Sequence, residues 1–488
     1  MSSLAWTAIA AMKWSAASQI GRQAIQFLTL VVLARLLNPH DFGLLGMAMV
    51  FVGLLTMVGD LGTASAVIQR KELTQRFLST VFWANIFIGL GTTAALALCA
   101  PLIAKLYGQP ALTPLLRVLS TAFLISSVAV LQQALLERRL ALRRLALAEL
   151  SSVVLASIMA IALAVVGFGV WSLVLQTLVY VTADAILLWL LGGWVPALRW
   201  SWADAKGTMR FSFNLTGFNL VNYFDRNADN FLVGKYLGAQ ALGVYSLAYR
   251  VLLFPTQSVT WATTRVTFPF YSRIHEQPER LKQAYLRTAS AIALFTFPLM
   301  MGVAVLSEPF TMVVFGPKWN GIAVVITILA PVGLIQSIVS TTGGIYMAKG
   351  RTDWLFLWSV ASTVVTVGGF VIGLHWGVVG VATSYAITSF ALLYPALAIP
   401  FRLIDLPFKN LLFALRGVSF ASLAMLLSIV AAELALPSGL PPADVLLVTV
   451  PLGVAVFTGA VLLLDRRTAR DVIAARKTHK VSGPREVQ

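Results

Sequence analysis

The chain has 488 residues, 58% of them hydrophobic and only 11% charged. Soluble domains carry about 25% charged residues, so this composition excludes a soluble globule and leaves a membrane protein of many spans. A single cysteine, Cys99, excludes an intramolecular disulfide, and the net charge of +17 has to be read from where the basic residues fall.

A helix needs about 20 apolar residues to cross a bilayer. Runs of that size, bounded by charge or by Gly/Pro clusters, fall at 14–34, 42–66, 78–104, 112–136, 146–166, 170–191, 211–234, 242–264, 285–306, 321–348, 354–374, 377–400, 411–434 and 443–464. The start of the chain reads as the first span and not as a cleaved leader, because only Lys13 precedes a full-length run and no short apolar core with a small-residue cleavage site follows. With the N-terminus cytoplasmic, the outer side receives only Arg35, Lys105, Arg117, Lys235 and Lys318. Arg22, Arg226 and Arg250 lie inside spans, and the other 28 of the 36 basic residues fall in the alternate, inner loops and the tail. Positive loops resist translocation, so this alternation predicts fourteen spans with both termini cytoplasmic. The basic excess is then topology, with attraction to anionic membrane lipids, and nucleic acid is not required as a partner.

The expected fold class is therefore an all-α polytopic membrane protein of about fourteen transmembrane helices. A faint repeat divides it further. A shift of 200 residues lays 31–48 (VVLARLLNPHDFGLLGMA) on 231–248 (FLVGKYLGAQALGVYSLA), with Leu37/Leu237, Gly43/Gly243 and Ala48/Ala248 identical. Both copies sit at the outer turn between an odd and an even span, six spans apart. Two six-helix lobes follow, at 1–200 and 201–405, then two further helices in 406–465 and a basic cytoplasmic tail, 466–488.

Polar residues inside the spans mark the candidate site. Along 219–250 the chain places Asn222, Asp225, Arg226 and Asp229 at i, i+3, i+4 and i+7, one helical face, with Arg250 in the next span. An ionised group in hydrocarbon costs at least about 2.5 kcal/mol, so this face looks into water, protein or a charged ligand. Either Asp225 and Asp229 close an internal ion-pair set with Arg226, or the face is the wall of a polar cavity. Arg22 lies mid-way along the first span among Ser18, Gln19, Gln23 and Gln26, while Asp60 and Asp184 are lone acids in the second and sixth. Three intramembrane arginines against two aspartates leave an excess of positive charge suited to an anion, and guanidinium forks suit phosphate oxygens. Asp225, Asp229 and Asp60 serve as counter-ions or as groups that exchange a coupling ion, H⁺ or Na⁺. Four scattered histidines without metal-ligand spacing and the lack of a G-x-x-x-x-G-K-[ST] loop point to no metal, no cofactor and no nucleotide motor.

Three stretches carry a resemblance: LARLLNPHDFGLLGMAMVFVGLLTMVGDLGTASAVIQ (33–69), FDRNADNFLVGKYLGAQALGVYSLAYR (224–250) and VVFGPKWNGIAVVITILAP (313–331). They are similar to the polysaccharide transporters, the Wzx-type flippases of the multidrug/oligosaccharidyl-lipid/polysaccharide exporter superfamily, in the branch serving capsule, colanic-acid-like and other exopolysaccharides. The resemblance implies an inner-membrane protein that turns over undecaprenyl-pyrophosphate-linked oligosaccharide repeat units. It also implies a cationic cavity lined by helices 1, 2, 7 and 8, onto which Arg22, Arg226 and Arg250 map, with Asn222 and Gln26 beside them. Polymerase and chain-length proteins of the same pathway are the implied protein partners. A cation-coupled drug exporter of the same superfamily would favour an acidic cavity, and a polymerase or glycosyltransferase would need a sizeable outer loop; the sequence supplies neither.

Overall fold

The computed structural model describes residues 3–59, 63–70, 72–202, 223–224, 226–252, 270–319, 321–437 and 439–464. Every regular element among them is helical, as hydrocarbon requires of a chain that must satisfy its own backbone hydrogen bonds. Ten helical segments are long and apolar enough to cross a membrane. One of them, Thr352–Arg402, is broken at Leu374–Trp376 and Gly377 (φ +68°) into two helices of 22 and 26 residues. The expected spans at 211–234 and 242–264 lie partly outside the described residues.

The chain divides at Ser246/Leu247 into two compact units. The first holds α1 (Ser3–Leu36), α2 (Pro39–Gly59), the short α3 (Thr63–Gln69), α4 (Gln75–Tyr107), α5 (Leu112–Arg138), α6 (Leu142–Val166) and α7 (Val170–Gly192). Its main packing pairs are α4 with α5, α6 with α7, α1 with α6 and α5 with α7. Sequence reading expects one span over 42–66; the structure instead ends α2 at Gly59 and starts α3 at Thr63. The second unit holds α9 (Pro278–Val305), α10 (Ser307–Val314), α11 (Ile322–Val339), α12 (Gly343–Ala348), α13 (Thr352–Gly373), α14 (Gly377–Arg402), α15 (Phe408–Ala435) and α16 (Pro442–Leu464). Tyr271, Tyr285, Leu397 and Phe401 belong to its buried core. Leu98 and Leu434 are among many large apolar side chains exposed on the two units, as expected where the surrounding solvent is lipid.

Between these sets runs α8, a helical stretch over 226–252. Gly238 within it has φ +85°, a left-handed value that glycine adopts without steric cost, and it turns the run into a hairpin. Proof of the turn is the hydrogen bond from the Tyr245 hydroxyl to Asp229 Oδ2, 2.9 Å across 16 residues. A straight helix would separate those residues by about 24 Å.

The first arm of this hairpin and its turn lie on a glycine face of α2. A Cβ added at Gly43 would stand 1.6 Å from the Ala239 carbonyl oxygen, and one at Gly243 would stand 1.8 Å from the Pro39 carbonyl oxygen. The two contacts exchange places under a shift of 200 residues. The faint sequence repeat is therefore a physical one: its two turns touch backbone to backbone through equivalent positions, as a two-fold relation demands. Further along α2, Gly46 faces Leu242, and Gly53 faces the Tyr223 ring, whose hydroxyl donates to Val50 O at 2.6 Å.

Gly43→Ala and Gly243→Ala each force a methyl group into backbone and should destabilise by more than the roughly 1–3 kcal/mol of ordinary overpacking. Gly46→Ala meets only the movable end of Leu242, 3.1 Å away, and should cost less. The thermal unfolding midpoint of the purified protein checks this ordering; a Gly43→Ala protein as stable as the parent would overturn it.

Candidate functional site

The hairpin arm carries the densest polar face, and its members divide by what they do. Asp229 is 2% exposed and accepts hydrogen bonds from Tyr245 Oη (2.9 Å) and from the Asn230 amide (2.7 Å). Its carboxylate therefore ties one arm of the hairpin to the other. Asn227 is turned back onto the Tyr223 carbonyl at 3.0 Å. Arg226, one turn before Asp229, is exposed and makes no hydrogen bond or ion pair among the described residues. Asn222, Asp225 and Asp60 lie outside the described residues.

Arg22 on α1 stands in a different setting. Its Nη1 is 4.0 Å from Glu149 Oε2 on α6, and it donates to Gln19 Oε1 and to the Tyr180 hydroxyl on α7. Asp184, one turn beyond Tyr180, feels the charges of both Arg22 and Glu149. Glu149 is thus the carboxylate paired with this guanidinium. Gln26, the next turn along α1, is exposed, and under the 200-residue shift it is the counterpart of Arg226.

Arg250 belongs to the second unit, is exposed, and has no ion-pair partner among the described residues. Its neighbour Tyr249 lies 6.3 Å, centroid to centroid, from Tyr385 of α14. Tyr385 in turn packs edge-on against Phe370 at 5.2 Å and receives a hydrogen bond from Gln336 Nε2. The unit therefore sets a polar and aromatic group, Gln336, Tyr249 and Tyr385, within apolar helices.

Sequence reasoning missed Glu149, Tyr180 and Tyr245 as partners of the charged candidates. Glu149 offered a signal, being a lone acid near the start of the 146–166 run. Tyrosines at helical spacing are indistinguishable from core aromatics until a fold brings an acid to them.

Long apolar helices with charged groups among them define a polytopic membrane protein, and solved structures share its fold. A lipid II flippase, MurJ, in an inward closed conformation has a TM-score of 0.75 at 15% identity, covering 94% of this chain and 99% of that one. An inward-facing multidrug resistance MATE transporter has a TM-score of 0.64 at 17% identity, covering 79% and 98%. Residues 32–324 match the family described as polysaccharide biosynthesis protein, and the chain belongs to that family. Its relatives include the lipopolysaccharide biosynthesis protein WzxC of Escherichia coli, 29% identical over 77% of each chain. The teichuronic acid biosynthesis protein TuaB of Bacillus subtilis is 30% identical over 71% of this chain and 72% of its own. The succinoglycan biosynthesis transport protein ExoT of Rhizobium meliloti is 29% identical over 95% of both.

Tyr245→Phe removes a donor from a buried carboxylate, a hydrogen bond to charge worth about 1.5–3 kcal/mol, and should lower the thermal midpoint. Asp229→Asn retains an acceptor for the tyrosine and should lower it less. Equal midpoints for Tyr245→Phe and the parent would show that the hairpin does not depend on this bond.

Proposed function

We propose that the protein flips undecaprenyl-pyrophosphate-linked oligosaccharide repeat units across the bacterial inner membrane, for capsule, O-antigen or other exopolysaccharide assembly. It does so by alternating access of two six-helix lobes, 1–200 and 201–405, with both termini cytoplasmic. The observation that carries this reading is that Arg226, and in the second unit Arg250, are exposed and make no ion pair among the described residues. Arg22 is answered by Glu149. Against Arg226 and Arg250 the described residues of the helical stretch 226–252 set one carboxylate, Asp229, so the balance there is cationic. A guanidinium pair inside a membrane protein favours a pyrophosphate, which can accept two parallel N–H donors from each. A carrier of cationic drugs would be repelled by the same charges.

The expected course of transport follows from these roles. The pyrophosphate sits on Arg226 and Arg250, with Asn222 and Gln26 beside it, and the glycan occupies the polar interior. The prenyl tail stays in the bilayer, because transferring each of its methylene-sized groups into water would cost about 0.8 kcal/mol. Family membership and the shared fold of the lipid II flippase support the reading, as do the names of WzxC, a lipopolysaccharide biosynthesis protein, and ExoT, a succinoglycan biosynthesis transport protein.

Arg226→Ala and Arg250→Ala should abolish polymer export while the protein reaches the membrane at its normal level, and Arg→Lys at either site should restore export in part, since lysine keeps the charge and loses the fork. Normal export by both alanine variants would refute the anion site. Reporter fusions after Arg144 and Lys282 should read cytoplasmic, and fusions after Gly108 and Lys318 periplasmic. One reversed loop would overturn the proposed topology.

A further inference from the structure

The segment after α7 does not leave the first unit as a free loop. Beginning at Gly193 (φ +69°), it runs along α4 and is fastened there by side chains one and two turns apart. Gln75 donates to the Val195 carbonyl at 2.8 Å and accepts from Trp194 Nε1 at 2.8 Å. Ser79 Oγ accepts from the Ala197 amide at 3.0 Å, Trp83 Nε1 donates to the Ala197 carbonyl at 3.0 Å, and Thr80 Oγ1 accepts from the Ser201 amide at 3.1 Å. Gln132 of α5 closes the set on the Trp194 carbonyl at 2.7 Å. The order of these partners gives the path: the strand of chain advances from the level of Gln75 to that of Trp83, then returns to that of Thr80.

Depth follows from helix length. The 33 residues of α4 measure about 50 Å, against about 30 Å of hydrocarbon, so about 10 Å remains outside at each end of a centred helix. Trp83, eight residues along, is about 12 Å from Gln75. The tip of the strap at Ala197–Leu198 therefore reaches the boundary between headgroups and acyl chains.

The side chains it presents there are the wrong ones for water. Leu198 is 91% exposed, Trp202 78% and Val195 70%, and Phe87 of α4 adds a further exposed ring, linked to Trp202 through Trp200 by edge contacts of 6.1 and 5.3 Å. Among them the strap carries exposed Arg199 and no acidic residue, with exposed Arg76 at the start of α4 and exposed Arg143 and Arg144 in the first turn of α6. Apolar and tryptophan side chains ringed by arginine match the acyl boundary and phosphates of anionic phospholipid. Since these six fastening bonds come from α4 and α5, the strap is held on a rigid support.

We infer that residues 193–202 form a re-entrant interfacial anchor that inserts Leu198, Val195 and Trp202 into one leaflet and binds anionic phospholipid through Arg199. The inference does not depend on which substrate the protein moves. To test it, the full-length chain carrying Cys99→Ser and Leu198→Cys is labelled with an environment-sensitive fluorophore and reconstituted in phosphatidylcholine vesicles containing phosphatidylglycerol. Bromine is placed on the acyl chains of one lipid or the other. Brominated chains should quench the label, and at equal mole fraction brominated phosphatidylglycerol should quench roughly twofold or more strongly than brominated phosphatidylcholine. Arg199→Gln should remove that preference while leaving quenching itself. No quenching by either lipid, together with quenching by aqueous iodide, would overturn the insertion. Equal quenching by both lipids in the Arg199 protein would overturn the anionic selectivity. Because Leu198 is almost wholly exposed and Cys99 is exposed, neither substitution touches the core.

Discussion

The backbone contact between the two repeat turns is the constraint on which the first unit depends. At Gly43 and Gly243 there is no room for a single methyl group, because the facing atom in each case is a carbonyl oxygen of the other turn. Close approach of this kind is how membrane helices gain packing energy where lipid offers no hydrophobic drive. Once the turns are seated, Gly46 receives Leu242 of the second arm and Gly53 receives the Tyr223 ring, whose hydroxyl donates to the Val50 carbonyl. The buried Asp229–Tyr245 bond then decides how the second arm returns. Each step positions the next, and Arg226 and Arg250 inherit their places on the two arms from it.

Charge inside the membrane is handled in two ways by this chain. Arg22 is surrounded by groups that absorb its charge, whereas Arg226 and Arg250 have no answering carboxylate among the described residues. On the proposed reading, these two are the arginines that meet the substrate. Counting arginines against aspartates along the sequence could not separate these cases, since Glu149 is 127 positions from Arg22 and reaches it only through the packing of α1 on α6.

Much of the fold was legible because the physics is local. Apolar runs of span length recur as α1, α4, α5, α6, α7, α9 and α11 to α16 with ends shifted by a few residues, and the left-handed glycines Gly108, Gly167 and Gly193 end helices where the composition changed. The separate short helix α3 was not legible, since 42–66 reads as one apolar run in which Asp60 is the single charged residue. The repeat was visible as three identities and gained its meaning only from the reciprocal approach of Gly43 and Gly243. At the site, the residue types were legible and their pairings were not. Sequence reading expects Asp229 beside Arg226 as counter-ion or ion-coupling group, and the structure adds a hydrogen bond that no spacing announces, from a tyrosine sixteen residues on across a turn at Gly238.

The arginines at the end of α5 and the start of α6 serve the protein at two different times. In the finished structure Arg138 donates to the carbonyls of Val67, at 2.8 Å, and of Ile68 and Arg70, while Arg139 donates to Gly192 at 3.1 Å and Arg144 reaches Leu191 at 3.5 Å. They cover carbonyls at and just beyond the C-terminal ends of α3 and α7, the groups that a helix leaves without partners. The α7 carbonyls are made after these arginines, and in the proposed topology the same side chains meanwhile hold their loop on the cytoplasmic side. On that topology, orientation is written by charges that folding afterwards converts into mortar, and it is harder to reverse once made than the signal that set it would imply.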